Sequence, residues 1–301
     1  MQKSFWLSVL ACVIAGGVGA QIKKQFTVEN TSSCESISLH LKANSGNCFI
    51  KPSQNSEILN VYSNQDESSY SHNYRKELKG KTCLVYLNLE ETNSEGIGQT
   101  ISTRVFGGPE TPASSSNLWK MYLTDSKPYS LELNYGVGNA HVDLSGLAIK
   151  KLKINTGSAD VNVSYSTLAN QVDMDTFLVK VDLGSVNVRN LHLSKTKYMN
   201  ADVGFGNMLL DFSEKPLVGN NVVGSVGAGN LVIVLPSEET PVMVKIHESW
   251  LCSVKLPTSL KKISENTFAN KAYTSNSSNA LTFDLDVSMG SIIFKEPSSG
   301  K

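Results

Sequence analysis

One glycine-centred unit recurs along this 301-residue chain and limits what the chain can fold into. In each copy a short segment of alternating apolar and polar residues leads into a Gly-Ser or Gly-Asn pair, and a second alternating segment follows. Alternation with a period of two is typical of half-buried β-strands, and glycine permits the positive φ of tight corners. The glycines that mark the copies are Gly46, Gly138, Gly157, Gly184, Gly206, Gly229 and Gly290.

The spacing of the copies predicts stacked coils of about 22 residues. The intervals between successive copies from Gly138 to Gly229 are 19, 27, 22 and 23 residues. A single two-strand coil cannot bury its apolar side, whereas coils stacked about 4.8 Å apart can. We therefore predict an all-β fold, either a β-solenoid or a closely related repeat β-sandwich, with Gly-Ser or Gly-Asn corners. Trp250, in SWLCSVKL, marks a further copy that lacks the glycine.

Alternation within each copy also assigns side chains to the two faces of a strand. The residues predicted to face inward are Val142, Leu144, Val161, Val163, Val186, Val188, Leu209, Val232, Val234, Ile292 and Phe294. The residues predicted to face outward are His141, Asp143, Asp160, Asn162, Asn187 and Asp211.

The first 20 residues have the features of a secretory signal peptide. Lys3 precedes an apolar run, and the small residues that end at Ala20 predict cleavage before Gln21. An uncleaved anchor and a lipid on Cys12 are weaker interpretations. Since no later stretch has 18 consecutive apolar residues, we expect no transmembrane segment in the mature chain. The chain is thus predicted to be exported, to the periplasm, the outer membrane or the cell surface.

Composition divides the mature chain into a less regular and a more regular part. Residues 21–118 form an N-terminal β region with a polar insertion, Gln65 to Asn117, around the strand-like KTCLVYLNL. Residues 119–297 form the regular β-repeat array, and residues 298–301 are a tail. The ends of a stack expose free sheet edges, which invite self-association unless they are covered. The insertion is therefore a candidate cap or partner-binding element.

Charge and cysteine content narrow the classes of partner. The chain has 27 basic and 27 acidic residues and very few arginines, so no nucleic-acid partner is expected. Removal of the signal peptide leaves four cysteines, a number that permits disulfides in an exported chain. We expect one bridge within the group Cys34, Cys48 and Cys83, with buried free thiols as the alternative.

Motifs for catalysis, cofactors or metals are not evident. The glycines of YGVGNAHVDLSG precede a strand and lack the third glycine of a dinucleotide fingerprint, so they are predicted to form a turn. The five histidines form no HxxxH pair, and the recurring aspartates lack a calcium-repeat pattern. The main enzyme alternative is a β-helix polysaccharide lyase or hydrolase, which needs clustered carboxylates and a basic residue. Its candidate groups are Asp175, Asp182, Lys180 and Arg189.

The segment WKMYLTDSKPYSLELNYGVGNAHVDLSGLAIKKLKINTGSADVNV resembles the bacterial toast-rack, or putative-adhesin, family of exported β-repeat proteins. The matching pattern is strand, G-x-G, strand, L-S-G-L, strand, T-G-S, strand, and it extends from Trp119 to Pro236. The chain departs from the pattern at the polar insertion and at Trp250.

This resemblance implies a non-enzymatic cell-envelope protein and offers no catalytic motif. The expected role is adhesion, binding or structural support, with a protein or a glycan at the envelope as partner. Related domains are attached to envelope-stress regulators, so the alternative is a periplasmic partner protein of such a pathway. No cofactor is expected, and self-association through the ends of the solenoid is a further expectation.

Overall fold

The computed structural model describes residues 22–65, 70–91, 118–277 and 279–297. These residues form two large sheets, and the prediction of an all-β fold is confirmed. Sheet 1 contains β1 (Lys23–Val28), β3 (Asn47–Ser53), β4 (Leu59–Ser63), β7 (Leu118–Thr124), β9 (Asn139–Asp143), β11 (Asp160–Ser164), β13 (Ser185–Arg189), β15 (Asn207–Asp211), β17 (Asn230–Val234), β19 (Ser253–Lys255) and β23 (Ser291–Lys295). Sheet 2 contains β2 (Ser36–Ala43), β5 (Tyr70–Lys79), β6 (Thr82–Glu91), β8 (Pro128–Tyr135), β10 (Ala148–Thr156), β12 (Met174–Val181), β14 (Thr196–Val203), β16 (Asn220–Val226), β18 (Val242–Glu248), β20 (Lys261–Ser264), β21 (Thr267–Ala269) and β22 (Leu281–Val287). A 3₁₀ helix, Leu191–Ser194, connects β13 to β14.

Each coil contributes one strand to sheet 2 and the next strand to sheet 1. Equivalent strands of neighbouring coils pair in parallel, as β8, β10 and β12 do in sheet 2 and β9, β11 and β13 do in sheet 1. Because both sheets turn one apolar face inward, the core is a continuous layer between them, as in a flattened solenoid.

The order of the coils in space differs from their order in the chain at both ends. The coil β22–β23 lies between β16–β17 and β18–β19, so Gly290 stacks on Gly229 and the Trp250 coil is outermost. At the other end β6 and β7 lie outside β2 and β3. The sequence boundary predicted at residue 118 falls on the first residue of β7, and both sheets continue across it.

Antiparallel strands cover most of the sheet edges. Sheet 2 ends in the hairpin β5–β6 on one side and in β20–β21 on the other, and sheet 1 begins with β1 and β4. The fourth edge is β19, which has only three residues and carries Lys255. A short edge with a lysine is a poor template for strand addition.

The described part of the polar insertion forms the end of sheet 2. Inward-facing residues of β6, among them Val85 and Leu87, are buried against β2. A disulfide joins Cys34 to Cys83 across this end. Cys48 is a buried thiol whose pKa is raised to about 12 by burial, and Cys252 is partly exposed. The predicted signal peptide, its cleavage site at Ala20 and Gln21, and the tail lie outside the described residues.

Three of the residues predicted to face inward are only half-buried, and the prediction is wrong for them: Leu209, Val232 and Val234. The buried residues of these strands are Met208, Leu210, Leu231 and Ile233. The segments MLL and LVIV are apolar throughout, so their sequence carries no alternation that could set the face. The parallel register decides it instead, because Val186 pairs with Met208 and Met208 pairs with Leu231.

Gly157 occupies a different position from the other corner glycines. The register pairs Asp160 with Asn139 and with Ser185, so Ala159 takes the corner position and Gly157 lies two residues earlier. Gly136 lies at the same earlier position in the neighbouring coil, and its carbonyl lies 3.2 Å from where a Cβ on Gly157 would stand.

The corner glycines are required mainly because neighbouring coils approach closely. Among the predicted corner glycines only Gly46 and Gly138 have a positive φ, 97° and 113°. The interpretation that each corner needs a glycine for its positive φ is therefore wrong for the others. A Cβ on Gly206 or Gly229 would stand 2.3 or 2.2 Å from the carbonyl oxygen of the preceding corner glycine. That carbonyl accepts a hydrogen bond from the residue after the glycine, for example from Asn230 N–H at 3.0 Å.

The Asn or Ser that follows the glycine continues this stacking through its side chain. Asn230 Nδ2 donates to Asn207 Oδ1 at 2.8 Å, and Ser291 Oγ donates to Asn230 Oδ1 at 2.6 Å. In another pair of coils Ser185 Oγ donates to Asp160 Oδ1 at 2.6 Å. The recurring Gly-Ser and Gly-Asn pairs therefore form one backbone ladder and one side-chain ladder along the corner.

Candidate functional site

A cleft of about 360 Å³ opens on the outer face of sheet 2, at the end of the sheet that the first strands of the chain form. Four neighbouring strands, β5, β6, β2 and β8, provide its walls. We call it the sheet-2 cleft, and its polar lining residues are His40, Lys42, Asn73, Arg75, Tyr86, Asn88 and Asn134.

One cross-strand row of side chains runs through the cleft without a gap. The guanidinium of Arg75 lies 4.6 Å from the centroid of the Tyr86 ring, which stacks on His40 at 4.8 Å between centroids. His40 Nδ1 lies 3.0 Å from Glu132 Oε2, and Lys153 Nζ lies 2.9 Å from Glu132 Oε1. The row is well ordered because each side chain stands directly opposite the next on paired strands.

Glu132 is the electrostatic centre of this row. The hydrogen bond from Lys153 lowers the pKa of Glu132 most; partial burial acts in the opposite direction, and His40 adds a smaller lowering. The carboxylate thus stays ionised and holds His40 and Lys153 in place.

A second row lies two residues away on each strand and consists of asparagines and one lysine. Asn73, Asn88, Lys42 and Asn134 are neighbours across β5, β6, β2 and β8. Asn155 Nδ2 donates to Asn134 Oδ1 at 2.7 Å. Lys42 and Asn73 are exposed, and neither has a polar partner among the residues that the structure describes. Their donors are therefore free for a ligand.

The four candidate catalytic residues of a polysaccharide lyase or hydrolase do not form one site. Asp175, Lys180 and Asp182 lie on or just after β12 at sheet 2, whereas Arg189 ends β13 in sheet 1. Lys180 Nζ pairs with Asp182 Oδ1 at 3.1 Å, and Asp175 is five residues away along the strand, roughly 16 Å. Within residues 22–65, 70–91, 118–277 and 279–297 no three His, Cys, Asp or Glu side chains form a group that could hold a metal ion.

Most of the recurring aspartates bind neighbouring groups of the protein itself. Asp143 accepts hydrogen bonds from Ser145, Asp211 accepts one from Ser213 N–H, and Asp173 pairs with Lys197 at 3.0 Å. They stabilise turns and neighbouring strands.

Four of the five histidines make contacts within the outer faces or edges of the sheets. His72 stacks on Phe26, His141 stacks on Phe49 at 4.9 Å, and His247 Nε2 lies 3.2 Å from Asp284 Oδ1. His192 lies in the 3₁₀ helix, where burial lowers its pKa although the carboxylates of Glu214 and Asp211 act in the opposite direction.

No pattern in the sequence predicts the sheet-2 cleft. In the sequence His40 is one of five histidines without a paired ligand and Arg75 is one of very few arginines, and no motif marks Tyr86, Lys42 or Asn73. The one local signal is the alternation in KTCLVYLNLE, which places Tyr86 and Asn88 on the same outer face.

Together these features define a class, an all-β protein of stacked two-strand coils with a polar cleft on one outer face. The family described as the N-terminal domain of toast_rack, DUF2154, matches residues 17–186. The chain belongs to this toast-rack family, as the sequence pattern suggested.

Solved structures similar to this chain also exist. A crystal structure of a "putative cell adhesion protein" from Clostridium sporogenes ATCC 15579 has 17% identity and a TM-score of 0.47. The alignment covers 92% of this chain and 100% of that chain. No curated protein matches the sequence. Among the described residues, no helix has the length and apolar character needed to cross a membrane.

Proposed function

We propose that this chain is an exported, non-enzymatic binding protein of the cell envelope that holds a glycan in the sheet-2 cleft. The observation that carries the proposal is the meeting of free amide and ammonium donors, Asn73 and Lys42, beside the ordered row around Tyr86. These groups come from separate parts of the chain and converge only because β6 lies beside β2. The stacked coils serve as the rigid support.

The chemistry of the cleft suits a sugar better than an apolar ligand. Sugar hydroxyls both donate and accept hydrogen bonds, and an asparagine amide does the same. His40 and Arg75 both contact the Tyr86 ring, so a ligand would meet mainly its edge and the surrounding polar atoms. Lys42, without an ion-pair partner in the described chain, is placed for a carboxylate on the glycan.

Replacing Lys42 by alanine is expected to weaken binding of an acidic oligosaccharide about 10- to 100-fold, the value of one charge-assisted hydrogen bond. Calorimetric titration of the mature chain with hyaluronan-derived and heparin-derived oligosaccharides, and with neutral maltohexaose, measures the effect. Lys151→Ala is the matched control, because Lys151 is exposed on the outer face of sheet 2 but does not line the cleft. Absence of binding to every sugar, or equal losses in both variants, would refute the glycan site.

Adhesion and the alternative role, a periplasmic partner in an envelope-stress pathway, predict different locations for the protein. Under the proposal, protease treatment of intact cells removes the chain rapidly, as followed with an antibody. Protection until the outer layer is permeabilised would favour the periplasmic role and would call for crosslinking of the partner protein.

A further inference from the structure

The tips of successive coil corners form a row of exposed apolar side chains. Leu183, Phe205, Ala228 and Met289 occupy the tips of four neighbouring coils, and Trp250 lies at the tip of the outermost coil. Phe205 is 72% exposed, Met289 60% and Trp250 90%. We call these five residues the corner row.

Such side chains are unexpected at this place. Solvent-exposed turns usually carry Gly, Asn, Asp, Ser or Pro, each of which stabilises the turn or faces water readily. A continuous exposed apolar strip on a folded protein commonly marks a contact surface. The corner row is therefore a candidate contact surface.

The sizes of the tip residues are self-complementary when the row is reversed. We propose that a second copy of this chain docks antiparallel on the corner row, with a two-fold axis between the coils of Phe205 and Ala228. Phe205 then faces the small Ala228 of the second copy, and Leu183 faces its Met289. Trp250 faces the tip of the β11 coil, where the buried Ser158 leaves no side chain that would obstruct it. Each contact sets a large residue against a small one, or two of intermediate size, as an isologous interface requires.

The charges behind the row do not oppose this arrangement. Lys180 precedes Leu183 by three residues and Asp286 precedes Met289 by three, and both lie exposed on sheet 2. The same two-fold axis sets Lys180 on the same side of the interface as Asp286 of the second copy. Each lies about 10 Å behind its tip, so the two charges do not touch and attract each other only at long range. Asp286 has no ion-pair partner among the described residues, and Lys180 has only the exposed Asp182.

The area available on the corner row is that of a small interface. Aromatic side chains bury about 150–250 Å² each, so the exposed parts of the corner row, with the adjacent Leu251, give roughly 600 Å² per copy. A standard stable interface uses about 800 Å² per partner. Interfaces of this small size are typical of transient contacts, so we expect a reversible dimer with a dissociation constant on the order of micromolar.

Sedimentation equilibrium of the mature chain over micromolar concentrations tests the proposal. We expect a monomer–dimer equilibrium that Phe205→Ser weakens by at least about tenfold. Leu168→Ser, which changes a 63% exposed leucine outside the row, should leave it unchanged. A monomer at all concentrations, including one captured by phosphatidylcholine vesicles through Phe205, would overturn the proposal, as would equal effects of the two variants.

Disulfide trapping tests the register of the two copies in a Cys252→Ser background. The double variant Leu183→Cys/Met289→Cys should form a crosslinked dimer on mild oxidation, because these residues face each other across the axis. Within one chain they are three coils apart, too far for a disulfide. Each single variant should crosslink much less. Equal crosslinking by Leu183→Cys alone would overturn the antiparallel arrangement.

Discussion

Replacing Gly184 by alanine is expected to lower the free energy of unfolding by about 4 kcal/mol, at the upper end of single-residue effects. The new Cβ would stand 2.0 Å from the carbonyl oxygen of Ala159 and 2.8 Å from two backbone carbons, with no flexible side chain able to move away. The coils must therefore separate locally, which strains the hydrogen bond from Ser185 N–H to Ala159 O at 3.2 Å. Equilibrium unfolding in urea measures the change.

Two other glycines provide graded controls for this experiment. At Gly157 the nearest atom to a new Cβ is 3.2 Å away, so Gly157→Ala should cost only about 1 kcal/mol. At Gly80 nothing lies within 4 Å, and the cost of Gly80→Ala is the strain of φ +61°, about 1–2 kcal/mol. If Gly157→Ala destabilises as much as Gly184→Ala, the register that places Ala159 in the corner is incorrect.

Replacing Asn170 by leucine is expected to destabilise the fold by about 3–5 kcal/mol. Asn170 is buried, its Oδ1 accepts a hydrogen bond from Ile149 N–H at 2.7 Å, and its Nδ2 donates to Ile149 O at 2.7 Å. Nδ2 also lies within hydrogen-bond distance of Val172 O and Ser194 O. Leucine has a similar size but leaves these backbone groups unpaired, at about 1–3 kcal/mol for each buried group that finds no other partner.

Asn162 is the matched control for Asn170. It lies on the outer face of sheet 1, where its Oδ1 accepts one hydrogen bond from Asn187 at 3.2 Å. Asn162→Leu should change the free energy of unfolding by less than about 1 kcal/mol, because water can replace that bond. The comparison uses thermal and urea unfolding of both variants. Similar losses in the two would contradict a special role for the buried amide.

The cleft shows why part of the function is hidden from the sequence. His40, Tyr86 and Glu132 form one row, although 46 residues separate the first two and 92 separate His40 from Glu132. Their contact depends on β6 lying outside β2, an order that no local pattern indicates. The alternation of apolar and polar residues predicts that Tyr86 lies on an outer face. It does not predict that β2 is the strand that pairs with β6.

The sequence by itself determined most of the strands and the repeated two-strand coil, because alternation and glycine positions act within a few residues of the chain. The tertiary structure alone decided which apolar residues of MLL and LVIV face inward, which glycine positions stack, and the order of the terminal coils. Parallel pairing joins residues from distant segments, such as Asn230 and Ser291, which are 61 residues apart. The choice among such pairings depends on how all the coils fill one shared core, and no single segment contains that information.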